Sequence, residues 1–481
     1  MKYVLSIDQS TSGTKALLLD ETGALIGRSD LPHEQKISEK GWVSHDPVEI
    51  YSNMIETARQ VIAAAKIDPA DIAAIGISNQ RETALIWDRE TGEPVADAVV
   101  WQCGRAQGIC DRLESHAETI RGKTGLRLSP YFPAAKWAWI LENSPGLDGR
   151  SLCCGTIDAW LVYKLTRSFK TDYSNASRTQ LFNINTLKWD QELCGLFGID
   201  PAMLPQVCMS DSNFGETDFE GLLPHPVPVH GVLGDSHGAL FGQGCVEPGM
   251  GKATYGTGSS VMVNIGDKPL FSDKGIVTSL AWGMGGKVSY VLEGNINYTG
   301  SVIKWLVDDL GLLPSSKEAG RIAARADPED GTYLVPAFTG LGAPYWKSDA
   351  KAIICGMGRG TGRAEIVKAA EESIGYQIAD IVNIMRGEGV ALSELRADGG
   401  PTRDKYLMQF QCDILNIPVV VPEREELSGI GAGYCAGIAA EVYPENIVAQ
   451  NQSTTYSPGK EAFWREKCLA GWKSALEMIS R

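Results

Sequence analysis

At 481 residues the chain exceeds the usual size of one domain, and 43% apolar residues with 12 Trp supply enough core for two large lobes. A formal charge of −15, from 44 basic against 59 acidic residues, argues against nucleic acid or an anionic membrane surface as a general partner and makes a polyanionic substrate unexpected, while leaving room for a local basic site.

In chain order, "YVLSIDQSTSGTKALLLDETGALIG" (3–27) reads as a strand, a hydroxyl-rich turn, a second strand, a tight E-T-G turn and a third strand. The first turn holds more than a hairpin tip requires. Ser10, Thr11, Ser12, Thr14, Gly13 and Lys15 surround consecutive backbone N–H groups, the inventory for phosphate oxygens, and Asp8 at the strand end could meet a cation; a solvated loop is the competing reading. Helical spacing of apolar residues follows over 47–66. From 71, "DIAAIGISNQRETALIWDRETGEPVADAVVWQC" gives a strand, a polar corner at N-Q-R-E, a strand with a second E-T-G turn, and a strand ending at Trp101. A further helical stretch covers 134–142.

The proline-rich "PHPVPVH" (224–230) opens the buried run "GVLGD", which ends at Asp235 just before a helix. Local sequence leaves Asp235 equally a helix N-cap or a carboxylate aimed into a crevice. "GMGKATYGTGSSVMVNIG" (249–266) then repeats the opening of the chain: strand, glycine and hydroxyl turn, strand. Two phosphate-type hairpins predict a duplicated fold clamping one ligand, with lobes at 1–245 and 246–481. Neither G-x-x-x-x-G-K-[ST] nor a strand-linked G-x-G-x-x-G occurs, which puts the chain outside P-loop and dinucleotide-binding chemistry. Eleven cysteines without a C-x-x-C pair suggest neither zinc nor disulfides. The apolar run before Asp8 is too short for a signal peptide and no stretch approaches the ~18 residues of a membrane span, so a cytoplasmic location is expected.

Duplicated hairpin lobes around a nucleotide are the pattern of the two-lobed α/β actin-like (ribonuclease-H-like) ATPase fold. On "SIDQSTSGTKALLLD", "NQRETALIWDRETGEPVADAVVWQC", "GTIDAWLVYKLT", "NASRTQLFNI", "YGTGSSVMVNIG", "VPAFTGLGAPYW" and "DGGPTRDKYLMQFQCDIL", the chain resembles the FGGY family of carbohydrate kinases over nearly its whole length, and within it the glycerol-kinase branch. "YFPAAKWAWILEN" (131–143) agrees with the family's first signature at each specified place. "AIICGMGRGTGRAEIVKAAEE" (352–372) follows the second except at Glu371, where an apolar residue is expected and a locally exposed position would explain the change.

The resemblance implies transfer of phosphate from ATP, with Mg2+, to a terminal hydroxyl of a small polyol or ketose. It makes Asp235 the catalytic base and puts Asp8 at the magnesium position, acting through water. Thr11, Ser12 and Lys15 would line the phosphates from one lobe, Thr257 and Gly258 from the other. Gly300, Lys304, Gly399, Gly400 and Asp404 fall at the adenosine places. Arg81, Glu82, Trp101 and Tyr131 join Asp235 around the acceptor; Arg and Glu can both reach it only from a corner, where they offer donors and acceptors to vicinal hydroxyls. Trp101 taken alone reads as readily as a core residue.

Several positions depart from the branch. Lys15 stands in place of Arg, losing the fork geometry, and Ser10 in place of Gly, which asks for a backbone angle an L-residue accepts. Lys304 stands for Gln and Asp404 for Asn, which modifies the adenine contacts. The branch follows the catalytic Asp with Gln and carries an aromatic residue two places after G-T-G, whereas this chain has Ser236 and Ser260. The acceptor is therefore expected to be glycerol or a longer four- to five-carbon analogue, with weak use of glycerol. A pentulose kinase of the xylulokinase type and, more remotely, an actin-like ATPase without a sugar acceptor are the competing readings. No nucleic-acid or membrane partner is expected, and a homodimer is left open. His237, a lone His at a helix start, reads as structural.

Overall fold

The hydroxyl-rich turn folds as its sequence suggests: in the computed structural model, which describes residues 1–347, 349–449 and 452–479, strands Tyr3–Gln9 and Gly13–Leu19 pair antiparallel with Asp8 opposite Lys15. Ser10 closes the turn without a positive φ, its N–H and hydroxyl both donating to the Gly13 carbonyl at 2.9 and 3.0 Å. Strand Leu25–Pro32 extends the hairpin, and helix Pro47–Ala65 carries the chain back across the sheet. That helix starts where it does because the Asp46 carboxylate accepts the Val48 N–H at 2.9 Å and Pro47 pre-sets the first turn. Ile72–Asn79 then joins Tyr3–Gln9 in parallel, and Val227–Gly234 joins Ile72–Asn79 in parallel.

The second sheet repeats this order. Met250–Tyr255 and Ser259–Gly266 form the hairpin, Lys287–Ile296 lies against its second strand, Glu394–Asp398 adds in parallel to its first, and Val419–Pro422 adds in parallel to Glu394–Asp398. Helix Arg363–Gly387 takes the place that Pro47–Ala65 holds in the first sheet. The duplication is thus one of topology, and it puts both hydroxyl and glycine turns at corresponding strand ends.

The two sheets meet through a pair of helices, Asp235–Gly242 and Leu427–Ala439, which pack together beneath the first sheet. A Cβ on Gly431 would lie 1.9 Å from the Gly238 carbonyl oxygen, so glycine is what lets these backbones touch. Leu17, Leu19 and Leu233 of the first sheet share this core with Met262, Ala281 and Trp282 of the second and with Ile430 and Tyr434 between them. Burying such a shared apolar layer stabilises the joint by roughly 1.5–3 kcal/mol for each large side chain. No helix among the described residues is long and apolar enough to cross a membrane.

Glu371 corrects one expectation. It is 3% exposed on the inner face of Arg363–Gly387, and its Oε2 has no hydrogen-bond partner. Burial, with the Asp404 charge adding, pushes its carboxyl well above the usual range. The position lies in the core and does not reach solvent, and burial favours the neutral form of the acid there.

Candidate active site

The polar corner turns at Glu82, a non-glycine residue with φ of 59°. Its unusual backbone is held in place by the buried Lys136 ammonium, which donates to the carbonyls of Glu82, at 3.1 Å, and Tyr131. Arg81 reaches across to the second sheet, where its two terminal nitrogens donate to Glu293 at 2.9 Å each. Arg178 joins the same group, donating to Glu82 at 2.5 Å and to Glu293 at 2.7 Å. These side chains are almost wholly buried. Burial alone would raise the Glu293 carboxyl, but Arg178 and Arg81 outweigh it and hold it well below the usual carboxylate range.

Asp235 is the first residue of its helix and does not cap it: Gly234 occupies the N-cap place, and the Asp235 carboxylate accepts its neighbour Ser236 N–H at 2.6 Å. Its Oδ1 lies 3.2 Å from Arg81 Nε, and the side chain is 34% exposed, so it is the open carboxylate at the edge of a closed ion cluster. Trp101 and Tyr131 meet edge to face at 5.6 Å. The Trp101 indole N–H donates to Thr11 Oγ1 at 3.0 Å, tying this aromatic pair to the hydroxyl-rich turn.

Lys136 gives a testable consequence. Burial pushes its ammonium down to about 7 from 10.5, with Glu82 opposing. Between these values the unfolded chain binds more protons, so this group makes stability rise with pH. Lys136→Met removes the titration, and its Tm relative to wild type should therefore fall as the buffer goes from about pH 7 to about pH 9. A difference that stays constant over that range would contradict a buried, titrating ammonium.

A second set of residues lines a cavity of about 690 Å³ between the halves: Asp8, Lys15, Thr254, Asp398, Gly399 and Glu426 among them, with Gly400 beside them. Asp8 Oδ1 and Asp398 Oδ1 are buried without a hydrogen-bond partner. Burial pushes the Asp8 carboxyl up to about 6 although Lys15 opposes it. Lys15 Nζ is 3.8 Å from Asp8 and pairs with Glu426, which also binds Arg28 at 2.7 Å. Register places Asp398, Thr254, Ser260 and Asn295 in one cross-strand row on a single face of the second sheet. Ser260 Oγ in that row is buried and unpartnered. Two residues away from Thr254, the 1% exposed Lys252 donates to Thr254 Oγ1 at 2.7 Å.

The remaining expected positions separate. Ser12 and Thr257 are exposed at the two turn tips, and the Thr257 carbonyl takes the N–H groups of Thr299 and Ser301 at the start of helix Gly300–Asp308, so Gly258 and Gly300 stand together. Gly399 has φ of 97°, and a Cβ there would meet the Tyr255 carbonyl oxygen at 1.9 Å. Lys304 is 78% exposed and its nearest carboxylate is Asp308 at 3.9 Å. Asp404 caps helix Lys405–Leu415 through Tyr406 N at 2.8 Å and also accepts Gly320 N at 2.8 Å. Neither lines the cavity. His237 is buried with both ring nitrogens unpartnered, and burial beside Arg81 keeps it neutral, consistent with a structural place. Sequence reasoning assigned no role to Arg178, Glu293, Lys136, Lys252, Asp398 or Glu426; a charged residue inside an otherwise buried run, as in "SYVLEGNI", is the signal that marks Glu293.

A duplicated two-lobed fold with a turn of phosphate-binding character from each lobe and a carboxylate at the joint is the architecture of the actin-like phosphotransferases. Residues 3–242 match the N-terminal domain of the FGGY family of carbohydrate kinases and residues 251–440 its C-terminal domain. The chain is 46% identical to glycerol kinase 1 of Thermotoga maritima, over 99% of each, and 44% identical to glycerol kinase of Carboxydothermus hydrogenoformans, over 99% of this chain and 97% of the relative. It superimposes on a crystal structure of Plasmodium falciparum glycerol kinase with ADP at a TM-score of 0.94 and 35% identity, covering 100% of this chain and 98% of that one. A xylulose kinase from Lactobacillus acidophilus shares the fold at a TM-score of 0.90 and 21% identity, over 100% and 99% of the two chains. The protein belongs to the FGGY family of carbohydrate kinases and is an alcohol phosphotransferase of glycerol-kinase-like type.

Proposed function

We propose that this protein transfers the γ-phosphoryl group of ATP to a terminal hydroxyl of a small polyol or ketose, with four- and five-carbon acceptors preferred over glycerol. Asp235 serves as the base that takes the acceptor's proton, because it is the most exposed of the cluster carboxylates. Arg81 and the corner residue Glu82 orient the acceptor's hydroxyls, and Trp101 with Tyr131 packs against its carbon chain. Thr11, Ser12 and Lys15 meet the phosphates from one side, Thr257 and Gly258 from the other, and Gly300, Gly399 and Gly400 leave backbone accessible to the nucleoside. Lys304 and Asp404 contribute to the adenosine side only through a rearrangement, since one points to solvent and the other is engaged as a cap.

A hydrated magnesium ion fits the cavity. Asp8 and Asp398 both line it, and carboxylates with water and phosphate oxygens are how such ions are commonly held. When bound, Mg2+ neutralises phosphate oxygens. Lys15 must leave or share Glu426 to do the same, so Glu426 tempers its charge until nucleotide is present.

The preference for a longer acceptor is carried by Ser260. Its small side chain, where the glycerol-kinase branch carries an aromatic residue, leaves room for a longer carbon chain, and Ser236 beside the base offers a second hydroxyl to the extra oxygens. A site built to bond extra hydroxyls penalises a substrate that lacks them. With ATP and Mg2+, kcat/KM for erythritol or a pentulose should exceed that for glycerol, and Ser260→Phe should shift preference back toward glycerol. A higher kcat/KM for glycerol than for every four- and five-carbon acceptor tried would reject this preference and leave the kinase assignment standing.

A further inference from the structure

Apart from Arg178, the motif "NASRTQLFNI" (175–184) and the residues just before it have no role in the chemistry above. Asp172, Ser174 and Asn175 are at most 1% exposed. Asp172 Oδ1 accepts the Ser174 hydroxyl, the Asn175 N–H and the Asn175 side-chain amide, each at 2.9 Å; Oδ2 accepts the Ser174 N–H at 2.9 Å and the Ser210 hydroxyl at 2.7 Å. Oδ1 already accepts two N–H donors, so it can only accept from the Ser174 hydroxyl, and this sets the direction of the bonds beyond it.

The one hydroxyl proton of Ser174 is used on Asp172, which leaves Ser174 Oγ as an acceptor, and it takes the Gly234 N–H at 2.9 Å. Gly234 is the residue immediately before Asp235. Both amide protons of Asn175 are likewise used, one on Asp172 and one on Asn79 Oδ1 at 3.0 Å. Asn175 Oδ1 must then accept, and it takes Asn79 Nδ2 at 2.9 Å, whose other bond goes to the Gln80 carbonyl at 3.0 Å. Gln80 opens the Arg81–Glu82 corner. One buried strut therefore ends on the base at one side and on the acceptor corner at the other.

We propose that Asp172, Ser174 and Asn175 are positioning residues for phosphoryl transfer, Ser174 holding Asp235 in place through Gly234 and Asn175 holding Arg81 and Glu82 through Asn79. The proposal rests on Asp235 being the base. It makes the two arms kinetically separable. Displacing a reacting group by about 1 Å can cost on the order of 10²-fold, so Ser174→Ala should lower kcat about tenfold to a hundredfold with acceptor KM nearly unchanged. Asn79→Ala should raise acceptor KM about tenfold with a smaller effect on kcat. Ser174→Thr, which keeps the acceptor oxygen, should recover most of the turnover.

The test is steady-state kinetics with ATP, Mg2+ and either erythritol or glycerol, on protein whose folded fraction is measured by thermal unfolding. If Ser174→Ala does not fold, Ser174→Cys keeps the volume while accepting only weakly. A split of kcat loss for residue 174 and KM rise for residue 79 supports the strut. Lower Tm in both variants with kcat and KM of the folded protein unchanged, or both constants moving together in both, overturns it. Asp235→Asn measured alongside separates the readings. Near-wild-type turnover there overturns the base assignment together with the arm that serves it, whereas lost turnover there beside an unaffected Ser174→Ala overturns the strut alone.

Discussion

Asp235→Asn should lower phosphoryl transfer by roughly 10²- to 10⁴-fold, the contribution of a positioned general base. The change keeps the shape of the side chain, and its amide oxygen can still accept the Ser236 N–H that the carboxylate takes at 2.6 Å, so the helix start should survive. Nucleotide affinity, read by calorimetry with a non-hydrolysable ATP analogue, should change little, because the role proposed for Asp235 is toward the acceptor and not ATP. The other carboxylates of the ion cluster are engaged, Glu293 with two arginines and Glu82 with Arg178. Retention of most turnover with acceptor and Mg2+ saturating would end the assignment.

Glu293→Gln should destabilise the protein by about 3–5 kcal/mol, the usual cost of removing one partner from a buried ion pair. The wild-type carboxylate balances Arg81 and Arg178 at once, and all three are buried. An amide there leaves two guanidinium groups with only Glu82 and the part-exposed Asp235 for charge balance. Because Glu293 is on the second sheet while Arg81 belongs to the first, the same change should loosen the halves and raise acceptor KM. Urea unfolding reads the first effect, and a loss below about 1 kcal/mol would mean that the cluster is solvated and the pair weak.

What local sequence reveals here is whatever depends on neighbours in the chain. The turn at Ser10–Lys15 and its counterpart at Gly256–Ser259 are built from contiguous residues, and both lie where their strands end. Helix Pro47–Ala65 carries its own start signal in Asp46-Pro47, and the N-Q-R-E corner announces itself by four polar residues between two apolar runs. The ion cluster has no such local mark. Arg81 and Glu293 are 212 positions apart, Arg178 and Glu293 are 115 apart, and only the closed fold makes them partners. Glu426 is similarly invisible as the partner of Lys15, 411 positions away. Residue type alone also misleads at Glu371, a charged residue type that the fold buries.

The most direct test of the account is ADP release from ATP and Mg2+ measured with and without a polyol, erythritol or glycerol, with the product followed by phosphorus NMR. Release that depends on the polyol, with one phosphate ester formed for each ADP, is the predicted result. ADP released at the same rate without any polyol, and inorganic phosphate as the only product with one present, would contradict it.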